Sequence, residues 1–575
     1  MNYTADFETT TDPNDCRIWA YAIMQIDNHD NFIYGNSMDD FIAWFSKNPS
    51  TLYFHNLKFD GEFIISWLFN HGYTWCSARK YLTEQSFTTL ISDKGQFYSM
   101  EICFKRRGTK LITGKIIDSL KILPFSVENL AEGFGLPISK LKIDYDEYRP
   151  IGHTLTIQEI DYIRNDVEIV AYCLKTLFDE GLQQITQGSN ALYDFKRIFT
   201  QKRFNRDFPQ PYYDKDIRQA YKGGYTYLKP EYRDKDLGEG IVLDVNSLYP
   251  SVLYDELMPF GEGCYFEGEY QNDTVFPIYV QALKCQFELK DGYLPTIQVK
   301  NNFRFTATEY LTSSKGNQVT LYLTNIDLKL FKEHYEIWDD EYIDGWKFRA
   351  VKGLFCDYID KWMSAKIEAG KQHNKPKRQL AKLMLNALYG KFALNPNVQS
   401  KIPYLDDNGV VKYKPGDLET RDPIYLPIGI FTTSYARFKT ISTAQSLYDR
   451  FVYSDTDSLH LLGTALPDNV NIDKYRMGAW DHEKTFKRAR FIRSKCYIEE
   501  VYNDNNELEL EVTVAGLPEK CYTEKYENEN GETIKKTVNV TWENFHPKAI
   551  YHNKLKYTHV PGGIVLEPID FTIKI

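Results

Sequence analysis

Two aspartates separated by one residue are the clearest sign of chemistry in the sequence, because paired carboxylates are common ligands of divalent metals. Asp455 and Asp457 lie between apolar, β-prone residues at 451–453 and 459–462, which predicts a hairpin with the acids at its tip. If the tip keeps strand geometry, residues i and i+2 project from the same face. Neighbouring carboxylates repel unless a cation lies between them, and Mg²⁺ prefers oxygen ligands together with substrate phosphates. A solvated turn is the alternative.

The N-terminal third contains further acids at separated positions. Asp6 and Glu8 share one face of a predicted strand, and Asp60 lies at a strand-to-helix junction. Tyr162 and Asp166 share a face of a predicted helix. These acids could converge on a two-metal site for phosphodiester hydrolysis. Taken singly, each acid also fits a helix cap, a turn residue or a solvated charge.

Another candidate metal ligand lies in the middle of the chain, where a short apolar strand predicted at 241–243 ends in Asp244. A turn follows, and Pro250 is able to occupy the first turn of a helix. An acid at a strand end can bind a metal, while the N–H groups of such a turn face phosphates. An ordinary helix cap is the alternative.

A helix predicted from Arg378 to Gly390 presents ligands for a nucleotide on one face. At about 100° per residue, Arg378, Lys382, Asn386 and Tyr389 fall within one quarter of the helix. Lys and Arg bind phosphates, and Tyr packs against a base or sugar. The alternative is an amphipathic helix whose cations extend into solvent.

Two other segments suggest contact with DNA. Paired glycines at 223–224 permit close approach of another chain, with a plain hinge as the alternative. Residues 484–495 include six cations and no acid, with aromatic side chains between them. This composition fits a surface that follows a nucleic-acid strand, and a solvated charged face is the alternative.

The composition limits the class of protein. At roughly 100–200 residues per domain, 575 residues predict several domains. A net charge of −10 argues against a protein that is basic throughout but allows local basic faces. The nine cysteines include no C-x-x-C pair, which predicts a reduced, intracellular chain. Because there is no secretory signal and no run of about 18 apolar residues, no membrane association is expected.

The N-terminal acids occur in patterns that resemble the exonuclease motifs of family B DNA polymerases. The patterns are Asp-Phe-Glu-Thr at 6–9, His-Asn-Leu-Lys-Phe-Asp at 55–60 and Tyr-x-x-x-Asp at 162–166. The implied ligands of two metal ions that hydrolyse a mispaired 3′ end are Asp6, Glu8, Asp60 and Asp166. The residues implied to steady the scissile phosphate and the attacking water are Lys140 and Tyr162. Those implied to contact the single-stranded 3′ end are Thr9, His55, Asn56, Phe59, Ser119 and Leu120.

Other patterns resemble the polymerase motifs of the same family. They are the segment starting at Asp244, Lys-x-x-x-Asn-x-x-Tyr-Gly at 382–390, Tyr-Ser-Asp-Thr-Asp-Ser at 453–458 and Lys-Cys-Tyr at 495–497. The implied metal ligands are Asp244, Asp457 and the carbonyl of Val245, with Asp455 as a catalytic residue that supports them. The residues implied to bind the deoxynucleoside triphosphate are Ser247, Leu248, Tyr249, Lys366, Arg378, Lys382 and Tyr389. Those implied to contact template and primer DNA are Tyr221, Gly223, Gly224, Thr433, Arg437, Lys495 and Tyr497.

Some details of the nucleotide site differ from the family pattern. Arg378 and Ala387 stand where family members carry Lys and Ser, and both changes are mild. The segment between Lys366 and Arg378 looks longer than usual, which leaves the geometry of the fingertip open. The resemblance also implies that Tyr249 lies under the sugar and excludes a 2′-hydroxyl.

The motif order and two insertions resemble the terminal-protein-primed subgroup, as found in phi-twenty-nine-like phages of Bacillus. This implies an α/β multidomain fold, with an RNase H-like 3′–5′ exonuclease domain followed by a right-hand polymerase domain with two insertions. The implied boundaries are 1–185 for the exonuclease domain and 186–575 for the polymerase domain. Within the latter they are 186–257, 394–396 and 421–514 for the palm, 258–353 for a priming-protein-binding insertion, 354–393 for the fingers, 397–420 for a strand-displacement insertion and 515–575 for the thumb. A type I′ turn at Asn408-Gly409 is predicted in the second insertion.

The implied function is protein-primed, template-directed DNA replication with 3′–5′ proofreading, strand displacement and high processivity. The implied cofactor is Mg²⁺, two ions per active site, with Mn²⁺ as a substitute. The implied partners are template and primer DNA, deoxynucleoside triphosphates and a terminal protein, and a monomer in the cytoplasm of a bacterial host is expected. Two other classes stay open. One is a DNA-binding 3′–5′ exonuclease with a non-polymerising C-terminal half, and the other is an Asp-x-Asp glycosyltransferase, which leaves the N-terminal acids unexplained.

Overall fold

The N-terminal part of the described chain is built on a mixed sheet of eight strands. The computed structural model describes residues 1–145, 147–299, 309–503, 506–527 and 533–574. The strands are β1 (Asn2–Thr9), β2 (Ile18–Gln25), β3 (Asn28–Gly35), β4 (Thr51–Phe54), β5 (Thr74–Trp75), β6 (Ser86–Ile91), β7 (Phe97–Arg107) and β8 (Lys110–Asp118). Their order is β3-β2-β1-β4-β8-β7-β6-β5. Because β1, β4 and β8 run parallel, the residues that follow them gather at one edge.

Helices cover this sheet and carry the remaining acids. They are α1 (Met38–Lys47), α2 (Leu57–Asn70), α3 (Val127–Phe134) and α4 (Ile157–Asp179). α4 begins with a capping box, in which Thr156 and Glu159 each accept a hydrogen bond from the main-chain N–H of the other. It packs against β1 and β2, which holds Asp166 against the strand that carries Asp6 and Glu8.

The helices of the described ranges include none that is long and apolar enough to cross a bilayer. α4 has 23 residues, but it buries Ile163, Val167 and Val170 while Asp161 and Asp179 are exposed. This division is typical of a helix that packs on a sheet.

The following segment leads into the sheet that carries Asp244. Its elements are α5 (Gln187–Phe199), α6 (Gln201–Asp207), α7 (Asp214–Ile217), β9 (Tyr225–Leu228), β10 (Asp236–Leu237), β11 (Gly240–Val245) and α8 (Leu248–Asp255). β11 is buried on both faces up to Asp244, as expected of a central strand. Ser247 has φ 54°, and this left-handed residue turns the chain from β11 into α8.

The described residues between Met258 and Val351 form a separate antiparallel sheet. Its elements are β12 (Met258–Glu267), β13 (Ile278–Leu289), β14 (Ile297–Val299), β15 (Glu309–Leu311), β16 (Val319–Thr324), α9 (Asn325–His334) and β17 (Tyr335–Val351). The strand order is β12-β17-β13-β16 in the part that the structure describes, and β14 pairs with β15. α9 packs on β13, β16 and β17, so the segment has a hydrophobic core of its own.

The nucleotide-binding candidates lie on two successive helices, α10 (Cys356–Lys371) and α11 (Lys375–Phe392). Residues 372–374 alone connect them. The segment between Lys366 and Arg378 is therefore mostly helical, and the loop predicted there is limited to residues 372–374.

A hairpin follows, formed by β18 (Asn397–Leu405) and β19 (Val411–Thr420). The predicted hairpin is confirmed, but the predicted type I′ turn is wrong. That turn requires positive φ at both central residues, whereas Gly409 has φ 75° and Asn408 is not among the residues with positive φ. The N–H of Gly409 instead donates to the carbonyl of Asp406 at 3.0 Å, so Asp407 and Asn408 are the central residues and the turn begins one residue earlier.

The second large sheet is completed near the C-terminus. The elements are α12 (Leu426–Ser446), β20 (Phe451–Thr456), β21 (Ser458–Leu462), β22 (Trp480–Arg493), β23 (Cys496–Tyr502) and β24 (Leu508–Val514). The order β24-β23-β22-β11-β21-β20-β9 is antiparallel. Its register places Asp244 between Ser458 and Asp481. The end of β11 therefore meets the tip of the β20–β21 hairpin, as the sequence predicts for a shared site.

Two hairpins end the chain. They are β25 (Thr523–Glu527) with β26 (Thr533–Thr537) and β27 (Ile550–Val560) with β28 (Gly563–Thr572). β28 packs on α2, and its Ile564 and Val565 share a hydrophobic core with Phe63 and Phe97. Val411 of β19 belongs to the same core. The N-terminal sheet is thus covered in part by two hairpins from distant parts of the sequence.

Candidate active sites

The N-terminal acids converge where β1 meets α2 and α4. One oxygen each of Asp6, Glu8 and Asp166 lie within 4.8 Å of one another. Asp60 is 2% exposed, and its Oδ1, like Oδ1 of Asp166, has no hydrogen-bond partner among the described residues. Buried polar atoms are normally paired, and carboxylate oxygens in this arrangement are donors that a hard divalent cation takes.

The electrostatics of this cluster also favour a cation. Burial and the neighbouring Asp166 raise the pKa of Asp6 to about 7. Burial and the charge of Asp6 raise the pKa values of Glu8 and Asp60 well above the ordinary carboxyl range. A divalent cation stabilises the ionised form of such carboxyl groups. The four residues therefore fit a metal site.

Lys140 and Tyr162 flank the acids. Lys140 Nζ donates to Asp166 Oδ2 at 2.7 Å. Burial alone lowers the pKa of Lys140, but the Asp166 carboxylate raises it above its ordinary value, so Lys140 keeps its proton at neutral pH. The hydroxyls of Tyr162 and Tyr145 are hydrogen-bonded to each other. The sequence does not single out Tyr145, because it lies in a loop without periodicity.

The residues predicted to contact a single-stranded 3′ end differ in exposure. Those with partly exposed side chains are Thr9, Asn56, Phe59 and Leu120. Ser119 is fully buried and donates its hydroxyl to the carbonyl of Phe54 at 2.9 Å. Nδ1 of His55 lies 3.0 Å from Ser119 Oγ, and burial lowers the pKa of His55 to about 4. The Ser119 side chain therefore orients a neutral His55, and contact of Ser119 with the 3′ end stays a prediction.

Asp118 is a buried carboxylate at this site that the motif comparison does not include. Its Oδ1 accepts from the N–H groups of Asn56 and Leu120 at 3.1 and 3.0 Å. Asn56 has φ 77°, so Asp118 stabilises a left-handed turn directly before α2. The sequence contains a signal for it, since an apolar strand ends in Asp118 just as β11 ends near Asp244.

Asp244 and Asp457 meet where β11 ends beside the β20–β21 hairpin. The N–H of Val245 donates to the carbonyl of Asp457 at 2.8 Å, which joins the two segments. Burial and then the charge of Asp457 raise the pKa of Asp244 to about 7. Burial also raises the pKa of Asp457. Two adjacent half-buried carboxyl groups of this kind fit a divalent cation.

Asp455 has a different environment from Asp457. Thr456 between them has φ 67°, so the hairpin tip does not keep strand geometry and the condition for a shared face is not met. Lys495 Nζ lies 2.7 and 2.8 Å from the two carboxylate oxygens of Asp455. Because Lys495 neutralises Asp455, this residue fits the predicted supporting role.

Asp481 and Glu483 add negative charge near Asp244, and neither is predicted from the sequence. Asp481 lies opposite Asp244 in the pairing of β22 with β11. Both charges raise the pKa of Asp244 further, after burial and Asp457. Asp481 and Glu483 directly precede the basic segment in the sequence. The sequence does not predict that they lie near Asp244, because β22 pairs with a strand that is distant along the chain.

A cluster of cations lies beside these acids. Arg378, Lys382 and Asn386 are exposed on one face of α11, while its apolar face is buried, as the helical periodicity predicts. Burial and the charges of Arg378 and Lys382 lower the pKa of Lys366 on α10, which places three cations in one region. The charge of Lys382 also reaches Asp244 and opposes the rise of its pKa. Cations grouped next to a metal site fit a triphosphate.

Two stacked tyrosines border the cations. The rings of Tyr249 and Tyr389 have centroids 4.1 Å apart and planes 22° apart, which links α8 to α11. Burial raises the pKa of both phenols, so both are neutral at physiological pH. Ser247 lies in the turn before α8. The side chain of Leu248 is 2% exposed, so Leu248 has only its main chain to offer a nucleotide.

The paired glycines pack against the acid hairpin. β9 pairs with β20 so that Tyr225 lies opposite Thr456. A methyl group at Gly224 would lie 2.6 Å from Thr456 Cγ2, so glycine is required there. The N–H of Gly223 donates to Gln298 Oε1 at 3.1 Å. Gly224 therefore allows the segment that begins at Tyr221 to pack on the acid hairpin, and contact of this segment with DNA stays a prediction.

Thr433 and Arg437 are buried and make contacts within the chain. Arg437 is 2% exposed, and its Nη2 lies 2.6 Å from Asp327 Oδ2. Its Nη1 donates to the carbonyls of Lys222 and Gly223 at 3.0 and 2.9 Å. Thr433 is also buried and donates within its own helix. Arg437 thus fixes the segment that carries the paired glycines, and contact of both residues with template and primer stays a prediction.

Four of the six cations in the basic segment 484–495 form ion pairs with acids. The ion pairs are Lys484–Glu499, Lys484–Glu511, Arg488–Glu500, Arg490–Asp236 and Lys495–Asp455. These pairs stabilise the sheet, and contact of the segment with a nucleic-acid strand stays a prediction. Tyr497 is partly exposed and packs near Tyr453, with ring centroids 5.5 Å apart.

A buried ion-pair network supports the acid hairpin. Glu499 on β23 is fully buried, and its Oε1 lies 2.7 Å from His460 Nδ1 on β21. Its Oε2 lies 3.0 Å from Lys484 Nζ on β22. Burial alone would raise the pKa of Glu499, but His460 and Lys484 lower it to about 2. The network ties the strand that follows Asp457 to the rest of the sheet.

Replacing Glu499 with alanine is expected to lower the free energy of unfolding by about 1–3 kcal/mol, because the buried His460 loses its hydrogen bond to Glu499 and Lys484 keeps only Glu511. Since the pKa of Glu499 is depressed in the folded state, its contribution is present above the ordinary value of 4.5 and lost as pH falls towards about 2. Urea unfolding at pH 7 measures the loss. The exposed Glu341→Ala is the control, and a difference from it below about 1 kcal/mol would contradict the prediction.

The chain is similar to DNA polymerases of phages. The family model described as "DNA polymerase type B, organellar and viral" matches residues 43–474. The DNA polymerase of Bacillus phage Nf is 47% identical over 578 residues, which cover 100% of this chain and 99% of the relative. The solved structure of Phi29 DNA polymerase covers 100% of both chains at 44% identity, with a TM-score of 0.93. The same polymerase complexed with primer-template DNA and incoming nucleotide substrates gives a TM-score of 0.91 at 44% identity and full coverage of both chains. These likenesses confirm the predicted α/β multidomain fold and the predicted resemblance to phi29-like Bacillus phage polymerases.

Proposed function

The chain belongs to the organellar and viral type B DNA polymerases, and we propose that it replicates DNA by protein-primed synthesis with 3′–5′ proofreading. It is a DNA-directed DNA polymerase, like the relatives that it matches over their whole length. The observation that carries the proposal is the presence of two separate acidic sites. One lies beside the cations of α11 and fits synthesis, and the other lies beside exposed residues of α2 and fits degradation.

In the synthetic site, Asp244 and Asp457 would hold Mg²⁺ together with the carbonyl of Val245, and Mn²⁺ suits the same oxygen donors. Two bound ions would activate the primer 3′-hydroxyl and neutralise the leaving pyrophosphate. Asp455, neutralised by Lys495, keeps the hairpin in place. The two raised carboxyl pKa values support this assignment.

The nucleotide site follows from the cations and the tyrosine pair. Lys382, with Arg378 and Lys366, binds the triphosphate, and the N–H groups of the turn at Ser247 and Leu248 face its oxygens. The stacked Tyr249 and Tyr389 pack against the sugar and the base. A wall formed by two rings leaves no room for a 2′-hydroxyl, which selects deoxynucleotides.

The degradative site uses the N-terminal cluster. Its proposed ligands of two Mg²⁺ ions are Asp6, Glu8, Asp60 and Asp166. Lys140, which keeps its proton, steadies the scissile phosphate. Tyr162 positions the attacking water. Thr9, Asn56 and Phe59 contact the single-stranded 3′ end, and a misinserted nucleotide is removed there.

We assign residues 1–185 to the exonuclease domain and 186–575 to the polymerase domain. The proposed parts of the latter are the palm at 186–257, 394–396 and 421–514, the first insertion at 258–353, the fingers at 354–393, the second insertion at 397–420 and the thumb at 515–575. Element bounds support this division. The separate sheet runs from Met258 to Val351, α10 and α11 make up the fingers, and the β18–β19 hairpin spans Asn397–Thr420.

The proposed partners are template and primer DNA, deoxynucleoside triphosphates and a terminal protein whose hydroxyl starts synthesis. The Phi29 polymerase, solved with primer-template DNA and nucleotides, supports the first two. We assign grip on the terminal protein to the insertion 258–353, and we expect a monomer acting in the cytoplasm of a bacterial host. The β18–β19 hairpin contacts both α2 and β27, so it bridges the exonuclease domain and the thumb. Such a bridge would enclose the DNA, giving processivity and strand displacement.

Extension of a primer into a downstream duplex, with Mg²⁺ and four deoxynucleotides, is expected to displace the downstream strand. A matched variant in which a short Gly-Ser linker replaces residues 400–417 should copy single-stranded template but stop at the duplex, because it lacks the bridge. Product length on a gel measures both. If the full chain also stops at the duplex, strand displacement is wrong while template-directed synthesis stands.

The glycosyltransferase and the non-polymerising exonuclease are the two alternative classes. Family membership excludes an Asp-x-Asp glycosyltransferase. An exonuclease with a non-polymerising C-terminal half would not need Asp244 beside Asp457, nor the cations around Lys382. Incorporation of a single nucleotide on a primed template separates that class from a polymerase.

A further inference from the structure

The β27–β28 hairpin of the thumb is seated on the exonuclease domain. Its turn approaches so closely that a methyl group at Gly562 would lie 2.3 Å from the carbonyl oxygen of Cys16. A methyl group at Gly563 would lie 2.5 Å from the ring of Phe63 on α2. Positions 562 and 563 therefore accept only glycine, and the hairpin has a defined position on the exonuclease domain.

A buried carboxylate on α2 holds the hairpin from the side. Glu62 is 1% exposed, and its Oε2 lies 3.5 Å from Nδ1 of His559 on β27. The same oxygen accepts from the hydroxyl of Tyr413 on β19 at 2.8 Å. Glu62 follows Asp60 by two residues, so the residues of β27 next to His559 are fixed relative to a catalytic carboxylate.

Tyr557 lies two residues before His559 and reaches the motif at the start of α2. Asn56 Nδ2 donates to Tyr557 Oη at 3.4 Å, and Lys58 Nζ lies 4.9 Å from the centre of the Tyr557 ring. The ring of Phe59 is tilted by 52°, with its centroid 6.4 Å away. Tyr557 and Phe59 are both partly exposed at the rim of the shared core.

Simple packing of the hairpin does not account for this arrangement. Ile564 and Val565 of β28 supply the buried contact with the exonuclease domain, whereas the Tyr557 ring keeps an accessible part. Two partly exposed rings, an amide and an ammonium group beside a catalytic acid are the groups that bind single-stranded nucleic acid. Rings stack on bases, and Lys pairs with phosphates.

We propose that Tyr557 is a nucleotide-contacting residue of the exonuclease site, where its ring and that of Phe59 receive bases of the unpaired 3′ end. The inference rests on the proposed exonuclease function. It means that the last hairpin of the chain completes the substrate site of the first domain.

The test measures degradation of a short single-stranded DNA oligonucleotide with Mg²⁺ over a range of oligonucleotide concentrations. Y557A is expected to raise KM at least about fivefold, the lower end of what stacking of one base contributes, with kcat within about twofold. Y557F and Y557W keep a ring and are expected to stay within about twofold of the wild-type KM. The control Y265A removes an exposed tyrosine from the 258–353 sheet and should change nothing.

Fluorescence anisotropy measures binding of the same oligonucleotide in EDTA, where no turnover occurs. Y557A should weaken the affinity at least about fivefold. An unchanged KM and affinity in Y557A, or a fivefold loss in Y557W, overturns the proposal. Extension of a matched primer shows whether each variant is folded. If Y557A is not folded, the KM and affinity of Y557F and Y557W test the proposal. Failure of the wild-type chain to degrade the oligonucleotide would instead overturn the proposed exonuclease function.

Discussion

Asp457→Asn is expected to lower the rate of nucleotide incorporation at least about a thousandfold, which corresponds to about 4 kcal/mol of transition-state stabilisation. The substitution keeps the side-chain volume but removes one of the two carboxylates that meet at the end of β11. The remaining Asp244 cannot balance the charge of a divalent cation alone. Single-nucleotide incorporation on a primed template with Mg²⁺ measures the loss.

The same Asp457→Asn protein should still degrade a single-stranded 3′ end, because the N-terminal cluster lies on a different sheet. Asp27→Asn, at an exposed turn, is the matched control and should keep both activities. Loss of both activities in a folded Asp457→Asn protein would show that the two sites do not act separately. Incorporation above about a tenth of the wild-type rate would remove Asp457 from the metal site.

Combined replacement of Asp6 and Glu8 by alanine is expected to have the opposite effect, with 3′–5′ degradation reduced at least about a thousandfold and synthesis retained. These residues supply two of the three carboxylates whose oxygens lie within 4.8 Å of one another. Release of labelled nucleotides from single-stranded DNA measures degradation, and extension of a mispaired primer end should increase.

Stability gives a second measure for the Asp6 and Glu8 variant. The pKa of Asp6 is raised from 3.8 to about 7 in the folded chain, so its ionisation destabilises the fold progressively as pH rises through this range. In EDTA at pH 8 the double variant should therefore unfold at the same or a higher temperature than the wild type. A clear decrease, absent in a control with Asp27→Ala and Asp30→Ala, would mean that the acids serve the fold rather than a metal.

Local patterns in the sequence predict much of both sites. The β20–β21 hairpin, the shared strand of Asp6 and Glu8, and the exposed face of α11 all follow from periodicities within one element. Each of these inferences needs only residues that are neighbours along the chain. The two-domain arrangement is instead implied by the resemblance of the whole chain to family B polymerases.

The sequence says less where pairing between distant segments decides the contacts. Arg437 is predicted to contact DNA, but the sequence does not show that Asp327 and the carbonyl of Gly223 also bind its guanidinium. The basic composition of β22 likewise does not show that β23 places Glu499 and Glu500 beside its cations. A cation in a sequence does not show which acid will reach it, because strand order is a tertiary property.

The shared core of the exonuclease domain has a consequence for how the chain is made. Val411 and the pair Ile564 and Val565 are buried with Phe63 and Phe97, although the latter leave the ribosome far earlier. Domains often fold during synthesis in the order of translation. Here the core of the exonuclease domain is complete only after residues 411 and 564–565 have been synthesised. An excised 1–185 fragment would therefore expose apolar surface to water and be prone to association.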